Sequence, residues 1–538
     1  MRALKYKGTR RLSEGLGHRL CRHGDPGSRV PHDLRHPGVK HYIGAGVDGG
    51  NRSGSQPTRA ACASPRGNDG VRGGSRSLLP VVTACVALLL SGTAARASAA
   101  RPGVSPASGG GGVPVVPGFT SFDPALVGYE RSEVFISGTA NAYAMTAPAV
   151  NDGKYTAVVM STAPYTTRAV VMRPIHRRRF NGTVVVEWLN VSGGVDAGPD
   201  WMLGHNELIR EGFAWVGVSA QKVGVDALKA ADPARGDAVR YANLSHPGDN
   251  YSYDIYSQAG QAIRDDAHVI LRGLKPKHVI AVGESQSAIR LVTYIDAVHP
   301  LVHVYDGFLV HSRLGGPPIR DDLGVPVLVF QTETDVPLTS GAARQADTSM
   351  YRLWEVAGTA HFDFYGLSIG LTDTGDGRGA VAVLESMQNP TNKPPGGFTC
   401  GAPINTGPAH YVVDAAFRAL RRWVASGIAP PVAPRLQTSG AGFATDANGN
   451  ALGGIRTPAV DAPVAKLSGL SGGGSSFCFL FGSTVPFPPA QLRTLYPDHA
   501  AFVSAWTRAT RSARKAGFLV GADAKELIIA ADRSNIGN

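Results

Sequence analysis

Residues 278–295, HVIAVGESQSAIRLVTYI, carry an apolar run through Gly283-Glu284-Ser285-Gln286-Ser287 straight into a helical pattern. A serine at such a strand-to-helix turn is presented at the carboxyl end of the strand, with a helix N-terminus behind it that favours developing negative charge. Ser285 is therefore the candidate nucleophile. The motif form is G-x-S-x-G, and Ser287 stands where the second glycine would be; it is small enough for close strand-to-helix packing. A serine at a helix start can also be a simple cap, but the strand and helix on either side favour the nucleophile.

A serine hydroxyl needs a base to take its proton and an acid to hold that base. Downstream, the apolar run VPVLVF ends in Gln331-Thr332-Glu333-Thr334-Asp335, and YRLWEV is followed by Ala357-Gly358-Thr359-Ala360-His361. The order Ser285, then Asp335 or Glu333, then His361 fits a triad with His361 as base. Asp335 fits the loop offset best, and Glu333 is the alternative acid. Eleven histidines lie beyond residue 100; His361 is singled out because His299, His303 and His311 precede the acid, and His205 and His246 precede the serine. Oxyanion donors are expected from the backbone of Gln286 and from the loop after TVVVEWLN, at Asn190, Val191, Ser192 and Gly193.

Eight β-branched or apolar runs, from SEVFISG near residue 132 to YRLWEVAG near 351, alternate with helical patterns such as DWMLGHNELIREG and HYVVDAAFRALRRWVASG. Short runs apolar throughout suit strands covered on both faces, so the expected fold class is α/β, a mostly parallel sheet flanked by helices. The Gly/Pro/Asn-rich stretch of about 364–408 reads as a lid insertion. The organisation expected is a catalytic domain over 119–430 and a C-terminal extension over 431–538 that packs on the core and ends in helices.

Charge narrows the function classes. The chain of 538 residues has a formal charge of +12, but residues 1–100 hold 16 basic and 5 acidic side chains, leaving 37 and 36 for the remainder. A near-neutral body argues against nucleic acid as a partner. Residues 1–70 are a basic, Gly/Pro/Ser-rich leader expected to be disordered. Residues 71–99 have the order of a signal peptide, with Arg72 and Arg76, a 13-residue apolar run from Leu78 to Leu90, and Ala97-Ser98-Ala99 before a cleavage near Ala99-Ala100. That run is too short for a permanent anchor, and Val71 is the expected true start. Residues 101–118 read as a flexible lead-in. Export leaves two of the five cysteines, Cys400 and Cys478, which are expected to pair. Neither has zinc-site spacing, and no metal or cofactor is expected.

The segments VVVEWLNVSGG, VGESQSA, VLVFQTETDV, WEVAGTAH and LYPDHAAFVSAWTRATRSARKAGFL resemble the α/β-hydrolase superfamily, and within it a family of exported actinobacterial alpha/beta hydrolase domain-containing proteins. The resemblance covers most of residues 125–538. It implies an α/β-hydrolase fold, a carboxylic ester hydrolase activity on a small-molecule ester, Ser285 as nucleophile, His361 as base and Asp335 or Glu333 as acid. A serine esterase working through an acyl-enzyme is the leading reading. An acyltransferase would use the same machinery and differ by excluding water. A non-catalytic binding protein would betray itself by a lost triad member.

Overall fold

The computed structural model describes residues 99–109, 114–116, 118–338, 343–470, 472–475 and 477–538. Everything described below belongs to the compact unit Ser91–Asn538. The leader and all but the last residue of the signal-like segment lie outside the described residues.

Nine strands form one sheet: β1 (Gly103–Pro106), β2 (Tyr129–Thr146), β3 (Thr156–Pro174), β4 (Thr183–Trp188), β5 (Ala214–Val218), β6 (His278–Glu284), β7 (Gly307–His311), β8 (Val327–Thr332) and β9 (Tyr351–Val356). Their order is β1-β2-β3-β5-β4-β6-β7-β8-β9. From β5 to β9 every neighbour is parallel, whereas β1, β2 and β3 are joined by antiparallel pairing. Every residue of β4 is buried, because alternate side chains enter two separate cores: Val184 and Val186 face one, Val185 the other.

The first core is closed by α2 (Ser252–Asp265) and α3 (Gln286–Thr293), through residues such as Ile255, Tyr256, Ala288 and Leu291. On the other face α1 (Pro199–Arg210) and α5 (Ala409–Ser426) pack with α4 (Arg378–Gln388), α6 (His499–Lys515) and α7 (Gly521–Arg533). Ile455, Leu467, Phe502, Trp506 and Leu527 share that core with Val185 and Trp215. Residues beyond 430 are thus built into the same hydrophobic layer as the sheet.

Two expectations need correction. Within the stretch read as a flexible lead-in, Gly103–Pro106 pair with Ser137–Val134 as an edge strand. Backbone pairing asks nothing of side-chain polarity, so composition could not reveal it. The SEVFISG and TTRAVVMRPI strands are also far longer than their apolar runs, because β2 and β3 continue as a hairpin whose distal part, including Val158, Val159 and Met160, is exposed.

Candidate active site

The sheet's parallel strands deliver their carboxyl ends to one rim, and the sequence-selected residues meet there. Between β6 and α3, Ser285 has φ +59° and ψ −121°, a conformation that a non-glycine residue holds only when its surroundings impose it. Its N–H donates to the His311 carbonyl of β7, 3.0 Å away, and its carbonyl accepts from Ile289 of α3. A Cβ added at Gly283 would lie 3.0–3.2 Å from Ser287. The glycine at the start of the motif therefore provides the space that a second glycine otherwise would, which explains why Ser287 fits.

Ser285 Oγ lies 2.7 Å from His361 Nε2, and His361 Nδ1 lies 2.6 Å from Asp335 Oδ1. Asp335 Oδ2 accepts from both the N–H and the Oγ1 of Thr332, at 2.7 and 2.8 Å. The His361 N–H donates to Thr334 Oγ1, which donates in turn to the Gly469 carbonyl. Burial alone would push the Asp335 carboxyl up, but the charge and hydrogen bond of His361, with the two hydrogen bonds from Thr332, bring it below the usual carboxylate range. Burial likewise pushes the His361 imidazole down, and the charges of Asp335 and Glu284 more than reverse this, so it lies above its ordinary value. A serine hydroxyl, an imidazole held in one tautomer and an ionised carboxylate can together deliver an alkoxide-like oxygen to an electrophilic carbonyl.

Of the two acids the sequence left open, Asp335 is the one that meets His361. Glu333 instead accepts from the Gly358 N–H at 2.6 Å and the Gly469 N–H at 2.8 Å. Burial raises its pKa to about 7. It ties the loop before His361 to the C-terminal segment.

The loop after β4 also differs in part from expectation. The Asn190 N–H donates to the Ala197 carbonyl and the Ser192 N–H to Asn190 Oδ1, so neither of these amides is aimed at a ligand. Asn190 Nδ2 contacts the Glu284 carbonyl and carboxylate. Val191, Gly193 and Gln286 remain as candidate oxyanion donors; a Cβ added at Gly193 would meet nothing within 4 Å, so a ligand can approach its backbone. The loop is anchored at its far end by Asp196, which accepts from Arg168 at 2.7 Å with both side chains buried.

The cavity above Ser285 has a volume of about 280 Å³ and is walled by Phe362, Leu367, Phe398, Phe477, Leu480 and Phe481. Cys400 and Cys478 form a disulfide with Cα atoms 5.5 Å apart, clasping the insertion that bears Phe398 to the C-terminal segment that bears Phe477 and Phe481. A larger groove of about 530 Å³ beside Glu385 and Arg533 contains no histidine, so size alone does not locate the chemistry.

A family described as an alpha/beta hydrolase domain matches residues 92–529. The chain belongs to the α/β-hydrolase family. No curated relative matches this hydrolase. Solved structures similar to it include an α/β serine hydrolase without a lid from Xanthomonas campestris, at 12% identity and TM-score 0.25 over 40% of this chain and 83% of that one. A rice cell wall degrading esterase, LipA, from Xanthomonas oryzae matches at 13% identity and TM-score 0.20, over 37% of this chain and 49% of its own. A fungal esterase from Rhizomucor miehei matches at 10% and 0.18, over 36% and 66%. Membership of the α/β-hydrolase family rests on the domain match.

Several residues at the site were not singled out from the sequence: Glu284, whose Oε1 lies 3.3 Å from His361 Nε2; Thr332 and Thr334; and the phenylalanine wall. A charged residue closing an otherwise apolar strand was the available signal for Glu284. Two of the aromatics had one too, since Phe398 and Phe477 lie within two residues of the paired cysteines.

Proposed function

We propose that this α/β-hydrolase is a serine carboxylesterase acting on small esters with an apolar portion. The supporting observation is the unbroken hydrogen-bonded run from Ser285 through His361 to Asp335 at the base of an apolar cavity. Ser285 Oγ attacks the ester carbonyl as His361 Nε2 takes its proton. The oxyanion is met by the Gln286 N–H together with Val191 or Gly193. Collapse expels the alcohol, protonated by His361, and leaves an acyl-Ser285 that water, activated by the same imidazole, hydrolyses.

A cavity of about 280 Å³ is at the small end of ligand sites, and its aromatic wall favours a short or compact apolar acyl group. A fluorophosphonate should modify Ser285 and no other serine, as read by peptide mass mapping. Across p-nitrophenyl esters graded by acyl length, kcat/KM should peak at short to medium chains. Modification of another serine, or a preference for charged acyl groups, would overturn the reading.

The Cys400–Cys478 clasp gives a separate expectation. Replacing both cysteines by serine removes a cross-link between segments 78 residues apart, costing about 2–5 kcal/mol of stability. Thermal unfolding should show the loss, and KM for apolar esters should rise about tenfold while kcat for an acetate ester changes little.

We further propose that the protein is exported, with cleavage near Ala99-Ala100. N-terminal sequencing of protein recovered from culture medium should begin near Ala100. Secreted material that begins upstream of Val71 would contradict the cleavage.

A further inference from the structure

Glu284 is buried, with 3% of its surface exposed, yet it is a carboxyl group within the polar cluster of the site. Its Oε1 is 3.3 Å from His361 Nε2, the nitrogen that also faces Ser285 Oγ at 2.7 Å. Its Oε2 accepts from Asn190 Nδ2 at 3.3 Å, and the same amide donates to its backbone carbonyl at 3.1 Å. The register of β6 with β7 pairs Glu284 with His311. His311 Nδ1 is in turn 2.9 Å from Asp200 Oδ1, with both side chains buried. The titratable groups facing Glu284 are His361, His311, Asp200 and Asp335. The triad is thus backed by a second imidazole–carboxylate pair, and Glu284 lies between the two imidazoles.

We propose that Glu284 is a positioning residue that controls the proton on His361 Nε2: ionised, it accepts from the imidazolium formed during catalysis; neutral, it occupies the Nε2 lone pair and keeps Ser285 idle. The inference rests on Ser285 as nucleophile and His361 as base. With the carboxylate ionised, the Ser285 proton moves to Nε2 and is shared between the departing oxygen and Glu284 Oε1, with no covalent bond to Glu284. With the carboxyl protonated, its O–H donates to Nε2 in competition with the Ser285 hydroxyl.

Burial raises Glu284 to about 7, against the opposing pull of His361 and His311. Burial pushes the His311 imidazole down, but its hydrogen bond and charge interaction with Asp200 more than reverse this. His361 and Glu284 therefore titrate as a pair sharing one proton, and the active form is the one that has lost it.

The test is the pH dependence of p-nitrophenyl acetate kcat/KM, with fluorophosphonate labelling rate as a parallel readout that needs no turnover. For the wild type, the acid limb should steepen from a slope of one to a slope of two as pH falls. Glu284→Gln should keep a slope of one throughout, shift the limb down by about one pH unit, and lower kcat/KM at pH 8 by about tenfold. His311→Asn removes a positive neighbour and should move the limb the opposite way, upward. A Glu284→Gln profile that superimposes on the wild type after scaling would overturn the proposal. So would a single ionisation in the wild-type limb, which requires no variant. Absence of labelling at Ser285 in the wild type would overturn the nucleophile reading itself, a distinguishable failure.

Discussion

Ser285→Ala should lower ester kcat by roughly 10⁶-fold, the scale seen when a triad nucleophile is removed from a serine hydrolase. The residue emerges at a positive φ between β6 and α3, and alanine loses only an oxygen whose partner is His361 Nε2. The backbone of the turn is held by the His311 carbonyl and by Ile289, contacts that alanine keeps. Thermal unfolding should therefore be nearly unchanged while fluorophosphonate labelling disappears. Retained turnover with a normal unfolding transition would remove Ser285 from the mechanism.

Asp335→Asn should cost about 10⁴-fold in kcat, the penalty for presenting the imidazole in the wrong tautomer. The Asp335 carboxylate accepts from His361 Nδ1 and is itself held by two donors of Thr332. An amide in its place can offer an N–H to Nδ1, so that the ring carries its proton on Nε2, where it points at Ser285 and the base is lost. The sign of the pH effect follows. Asp335 opposes burial in keeping His361 above its ordinary value, so its neutralisation lowers the imidazole pKa, and the acid limb of kcat/KM moves to lower pH even as the plateau collapses. Glu333→Gln supplies the contrast: with its oxygens on Gly358 and Gly469, its loss should lower the unfolding temperature and leave kcat within a few-fold. The opposite ranking of the two variants would reassign the acid.

The site was legible where chemistry and local pattern coincide. Ser285 stands out because an apolar strand, a tight turn and a helix follow one another within 18 residues, and His361 because it lies in the loop that follows the last strand. Asp335 and Glu333 could not be separated from the sequence, since both follow β8 within three residues and only side-chain direction distinguishes them. The donors of the β4 loop were overcounted for a related reason: nothing in Asn190-Val191-Ser192-Gly193 reveals that Ala197 folds back to take the first amide. The parallel half of the sheet was readable from fully apolar runs. The β2–β3 hairpin was not, because its outer half leaves the core and loses the apolar signature.

Gly469 receives Thr334 Oγ1 through its carbonyl and offers its N–H to Glu333, so a residue more than a hundred positions downstream braces the loop on which the acid stands. Truncation after α5 would keep Ser285, Asp335 and His361 in one polypeptide, yet release that brace and unroof the aromatic wall. The smallest working unit of this hydrolase is therefore larger than the segment bearing its reactive groups, and trimming it to a minimal catalyst should yield an inert fragment.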